Sequence, residues 1–115
     1  MPKVLVVEDH EGYFAAINHD LKDKVEVLHA ETLEEGDNLF QSHPDVDLVI
    51  MDACVPGDSP NAMPLVKKIV DSGYSKPIIA CSSMPFYTRK LVDVGATHQS
   101  DKYGVAKMAL ELLNL

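Results

Sequence analysis

The stretch from Asp47 to Gly57, DLVIMDACVPG, decides how the fold is read: a short apolar run, Leu48 to Met51, leads straight into an acid, Asp52, and then into the turn signal of Pro56 and Gly57. A run of this length bounded by polar and turn residues predicts a buried strand. Similar runs stand at Lys3–Val7, Val25–His29 and Pro77–Cys81, with Asp47–Met51 the third of four. Helical patterns fill the intervals. Phe14, Ile17 and Leu21 fall at i, i+3 and i+7, and Leu33, Leu39 and Phe40 follow Thr32, which with Glu35 has the form of a capping box. Met63, Val66, Ile69 and Val70 make a third apolar stripe, and Val105, Met108, Ala109 and Leu112 a fourth. Stripes at this spacing belong to helices that cover a sheet, and these residues are core rather than a cofactor box. Towards the end the signal weakens: a short helix is expected over 86–94 and a polar strand over 97–101. Alternating strands and helices predict an α/β fold with a doubly wound, five-stranded parallel sheet.

Length and composition narrow the function classes. A chain of 115 residues suits one domain with one core. Acidic residues outnumber basic ones 18 to 10, so the formal charge of −8 repels phosphate backbones, and direct nucleic-acid binding is not expected. The first apolar run begins almost at once, which leaves no room for a secretory leader. Nor does any apolar stretch reach the roughly 20 residues that span a bilayer. Cytoplasmic location, without membrane attachment, is the expectation. Cys54 and Cys81 are the only cysteines; in a reducing compartment they read as buried small residues. With no CxxC pair and scattered histidines, a transition-metal site is not expected.

In a doubly wound sheet, ligands bind outside the carboxyl ends of the strands. The first run ends in Glu8 and Asp9, the third in Asp52, the fourth in Ser82 and Ser83, and the weak fifth in Lys102. Each residue alone has a bland explanation as a helix cap, a turn residue or a solvated lysine. Their coincidence on one rim is what points to a site. If the first and third strands are neighbours, Asp9 and Asp52 approach, and two carboxylates about 4 Å apart repel by roughly 4 kcal/mol at an effective dielectric near 20. A proton on one of them offsets this, as does Mg²⁺, which favours one or two carboxylates plus water. Mg²⁺ is the expected cofactor. Lys102 adds a compensating charge suited to meeting a phosphoryl group, and Ser82 offers a hydroxyl.

Four segments, VLVVEDH, DLVIMDACVPG, PIIACSS and GATHQSDK, resemble those of bacterial response-regulator receiver domains, and the likeness runs over essentially residues 1–115. The resemblance implies a stand-alone receiver domain of two-component signal transduction, with a flavodoxin-like (βα)5 fold and strand order 2-1-3-4-5. It implies that Asp52 is the phosphoacceptor, Ser82 the switch hydroxyl and Lys102 the phosphate-contacting lysine. Mg²⁺ would be held by Asp9, Asp52 and the backbone carbonyl of Cys54, with Glu8 acting through water. The phosphoryl donor would be a histidine kinase or phosphotransfer protein, and the output a contact with a downstream protein target. On this reading the chain is a phosphoacceptor and not an enzyme, beyond slow self-catalysed transfer and dephosphorylation.

Three departures accompany the likeness. Tyr103 follows Lys102 where the family usually has proline after a cis peptide, and a trans bond is expected here, since a cis bond to a non-proline costs about 2.5–4 kcal/mol. Gln99 takes the place of the aromatic switch residue. The segment after Ser82 is short, with Pro85 near its start, so an abbreviated fourth helix is expected. Two other readings stay open: a degenerate receiver that binds partners without phosphorylation, and a haloacid-dehalogenase-type phosphatase, which would need an acid where Cys54 stands.

Overall fold

Every residue of the strand Leu48–Asp52 is buried, as a central strand covered on both faces requires. In the computed structural model, which describes residues 1–57 and 59–115, this strand is the third of five. The chain alternates strictly: β1 (Lys3–Val7), α1 (Glu11–Leu21), β2 (Glu26–Ala30), α2 (Leu33–Ser42), β3 (Leu48–Asp52), α3 (Met63–Asp71), β4 (Ile78–Cys81), α4 (Pro85–Val92), β5 (His98–Ser100) and α5 (Val105–Leu112). All strand pairs are parallel, in the order β2-β1-β3-β4-β5, as expected.

Alternation along each strand divides the core in two. Val4, Val6, Leu48 and Ile50 face one layer, where they pack with Ile17 and Leu21 of α1 and Val105 and Ala109 of α5. Leu5, Val7, Val49 and Met51 face the other, against Phe40 of α2, Val66 and Ile69 of α3 and Leu91 of α4. Thr32 caps α2 by accepting the Glu35 N–H at 3.0 Å, but the Glu35 carboxylate takes the N–H of Glu31 rather than that of Thr32. Half of the capping box is therefore displaced by one residue.

Strand limits differ from the apolar runs by a residue for physical reasons. Val25 still donates its N–H to Leu21 in the turn after α1, so β2 starts at Glu26 and extends to Ala30, paired with Val7. Pro77 has no N–H to give, and β4 starts at Ile78. At the other end of β3, Asp52 is still in register with Cys81, so the acid is the last residue of the strand. The weak fifth strand is three residues long and lies at the sheet edge. Pro85 opens α4, a helix of eight residues that ends at Val92 rather than Val94. Cys54 and Cys81 are both buried, as expected.

Candidate functional site

The switch point between β1 and β3 brings the carboxyl ends of the strands around one cleft of about 500 Å³, lined by Glu8, Asp9, Asp52, Ser82 and Lys102 among others. All six rim residues singled out from sequence, Ser83 included, meet there, and Cys54 lines the same cleft. Carboxylate oxygens of Glu8, Asp9 and Asp52 lie within 4.8 Å of one another. The expected crowding of acids is present, with Glu8 as a full member.

Burial distinguishes the three acids. Glu8 is 2% exposed and Asp52 6%, while Asp9 is half-buried at the opening. Glu8 has two partners: one carboxylate oxygen accepts from the distant Lys102 ammonium, and the other accepts the backbone N–H of His10 at 3.1 Å. The same ammonium lies 3.1 Å from Asp52 Oδ1, which also accepts the Cys54 N–H at 3.3 Å. Lys102, 8% exposed, thus joins two buried carboxyls, one from the end of β1 and one from the end of β3.

One lysine does not balance the site. Burial pushes the Asp52 carboxyl up to about 7, and hydrogen bonding and repulsion from Glu8 act in the same direction, against the pull of Lys102 and the Cys54 N–H. For Lys102, burial favours the neutral form, but the hydrogen bond to Glu8 and the charge of Asp52 outweigh it, so its affinity for the proton rises. Among the described residues, three hard oxygen donors with one compensating cation fit a divalent ion of the Mg²⁺ type. Both Glu8 oxygens are engaged, with Lys102 and His10, whereas the Lys102 and Cys54 contacts of Asp52 fall on Oδ1.

Ser82 is buried at the edge of the cleft, and its Oγ accepts the Met84 N–H at 3.1 Å. It serves as a turn residue and a cleft hydroxyl together. Ser82 also lines a smaller cavity with Pro85, Thr88 and Gln99. There Thr88 Oγ1 lies 2.8 Å from Gln99 Oε1 and 2.9 Å from the Pro85 carbonyl oxygen, a hydroxyl shared between two acceptors. After Lys102 the chain continues through a trans peptide to Tyr103; Val55–Pro56 is the one cis bond among the described residues. The Asp101 carboxylate fastens this loop by accepting the N–H groups of Tyr103 and Gly104 at 3.0 and 2.7 Å.

Sequence reasoning missed Tyr13, which lines the cleft with its ring under the Lys102 ammonium. Its place four residues after Asp9, in the first turn of the following helix, was the available signal. It also missed His10, whose Nδ1 caps α1 by accepting the Tyr13 N–H at 3.1 Å.

No protein-family model matches the chain, and no curated protein matches it. Solved structures do. The chemotaxis protein CheY4 of Vibrio cholerae is 27% identical, with a TM-score of 0.79 over 99% of this chain and 97% of that one. The N-terminal domain of an uncharacterized protein from Wolinella succinogenes is 26% identical (TM-score 0.78; 98% and 93% covered). A response regulator receiver domain from Clostridium thermocellum shares the fold at 24% identity (TM-score 0.81; 99% and 92% covered).

Proposed function

We propose that this chain, whose solved structural neighbours are response-regulator receiver domains over nearly its whole length, is a phosphorylation-controlled signalling switch with Asp52 as phosphoacceptor. The observation that carries the proposal is the convergence of Asp9, Asp52, Ser82 and Lys102, from the carboxyl ends of four different strands, on one cleft with Glu8 beneath them.

In the proposed reaction an Asp52 oxygen attacks the phosphorus of a phosphohistidine on a kinase or phosphotransfer protein. An O–P bond forms, the P–N bond breaks, and the imidazole nitrogen keeps the electron pair. Asp9, Asp52 and the Cys54 backbone carbonyl would hold Mg²⁺, with Glu8 reaching it through water. Bound there, the cation would supply charge neutralisation for the transferring oxygens, on which phosphoryl transfer largely depends. Lys102 moves from pairing with the Asp52 carboxylate to pairing with the new phosphoryl oxygens. Ser82 donates its hydroxyl proton to another of those oxygens while still accepting from Met84, since a hydroxyl does both. The added charge and acceptors bias the β4–α4 loop, and the readout is a contact with a downstream protein. Net negative charge argues against direct binding to nucleic acid, and among the described residues no helix is long and apolar enough to cross a membrane. The cytoplasm, where such donors act, is the proposed location.

Incubation with Mg²⁺ and acetyl phosphate tests the proposal. A mass increase of one phosphoryl group, dependent on Mg²⁺ and absent from Asp52→Asn, is expected; an unmodified chain would refute it. The pairing of Gln99 with Thr88 favours one second reading, a receiver that binds its partner whatever the state of Asp52. Capture of the same partner in equal amount by the wild type and by Asp52→Asn would establish that reading instead.

A further inference from the structure

We propose that Tyr13 is a positioning residue for Lys102, its ring holding the ammonium in the cleft while the charge on Asp52 changes. The consequence for phosphoryl chemistry rests on the reading above; the contact rests on geometry alone. Lys102 Nζ lies 5.0 Å from the centroid of the Tyr13 ring, inside the roughly 6 Å over which an aromatic face attracts a cation. The ring is half-buried at the cleft wall, so the interaction is partly screened from water.

Lys102 needs such a wall. Its backbone is fixed by the Asp101 turn, but the next residue, Tyr103, is 89% exposed and gives the side chain no support. The stem is buried, with the side chain 5% exposed, and the ammonium at its end is placed by the charges and the ring it meets. Glu8 and Asp52 attract that head, yet one of them is the group whose charge is altered in the reaction. The Tyr13 ring is neutral and stays the same throughout. It is itself braced: the His10 ring lies 4.5 Å away between centroids, and His10 Nδ1 accepts the Tyr13 N–H as the cap of α1. A six-residue segment, Glu8 to Tyr13, therefore delivers both the buried acid that binds the ammonium and the ring beneath it.

The test uses the full chain and three substitutions: Tyr13→Phe, which keeps the ring; Tyr13→Leu, which removes it; and Tyr13→Met, which keeps bulk without a ring should the leucine variant fold poorly. The first readout is the NMR shift of the Lys102 Hε protons, which a ring current displaces upfield. The displacement is expected in wild type and Tyr13→Phe and is expected to vanish in the other two. The second is the apparent affinity for beryllofluoride with Mg²⁺, expected to fall about three- to tenfold without the ring and to return to within about twofold in Tyr13→Phe, the range of a partly desolvated cation–π contact. Unchanged Hε shifts in the ringless variants, a phenylalanine variant as impaired as leucine, or lost shifts with unaltered affinity would each overturn the proposal. Should wild type fail to bind beryllofluoride, the phosphoacceptor reading falls, while the Hε shifts still decide whether Tyr13 holds Lys102.

Discussion

The floor of the cleft and the corner where α4 meets β5 are built from different material. On the floor, Glu8, Asp52 and Lys102 are buried charged groups joined to one another, with Ser82 beside them. At the corner, Met84 and Phe86 are exposed large hydrophobics, β5 is three residues long, and Thr88 and Gln99 meet through neutral groups. Charges removed from water are costly to leave unpaired, whereas a neutral hydrogen bond at a half-exposed edge has a small net worth. The floor is thus intolerant of change and the corner permissive. Of the departures from the receiver pattern, Gln99 and the short segment after Ser82 lie at the corner, while Tyr103 adjoins the floor.

The contrast is broken outright if the floor has no chemical role. Asp52→Asn is expected to abolish Mg²⁺-dependent phosphorylation by acetyl phosphate altogether, read by intact mass. Persistent labelling of that variant would move the phosphoacceptor elsewhere. Lys102→Met probes the same floor energetically. It strands two buried carboxyls, and the loss of one partner from a buried pair costs about 3–5 kcal/mol. Urea unfolding at pH 8 should show that loss, and at pH 5 a smaller one, because the carboxyls can then take up protons. Equal losses at both values would mean that Lys102 acts by packing alone.

A third expectation follows from the Asp52 carboxyl, pushed up to about 7 chiefly by burial. Between the ordinary carboxylate range near 4 and about 7, the folded chain holds a proton there that the unfolded chain has lost. Stability from this group is therefore greatest at low pH and falls as pH rises through that window. Asp52→Asn removes the slope, so it should stabilise the chain more at pH 8 than at pH 4.5. Each pKa unit corresponds to about 1.4 kcal/mol, which makes a difference of a few kcal/mol measurable by thermal unfolding. Identical pH profiles for the two proteins would show that Asp52 ionises as it does in water.

The same contrast explains what could be read from sequence. Runs such as Leu48–Met51 announce themselves because a strand covered on both faces must be apolar throughout, and the rim acids follow because a βα unit puts its polar residues at the strand end. Even the departures at Gln99 and Tyr103 were visible as residue types. Tyr13 was marked only by its place in the first turn after the acid pair, because the pattern of α1 makes it a non-core helical position. Its use depends on where a lysine 89 residues later comes to rest. Nor does the residue pattern tell Glu8 from Asp9, adjacent acids that come to lie at different depths; only the family resemblance gave them separate roles.

The smallest expected effect is at the corner. Thr88 is buried, and Thr88→Val keeps its shape while removing the hydroxyl shared by Pro85 and Gln99. Gln99 is exposed and can turn to water, so the cost should be about 0.5–1.5 kcal/mol, a fall of several degrees in Tm. The informative measurement is beryllofluoride affinity in that variant. Ser82 belongs to both the cleft and the Thr88–Gln99 cavity, and its Oγ takes the N–H of Met84, the residue that precedes α4. Movement of Ser82 towards a phosphoryl oxygen must therefore pull on the first turn of α4, where the Thr88 hydroxyl meets the Pro85 carbonyl. If that pull is resisted by the Thr88–Gln99 pair, Thr88→Val tightens beryllofluoride binding although it lowers stability, and the corner is the element that the floor works against. If affinity is unaltered, the two regions are independent, and any signal leaves the cleft by another face.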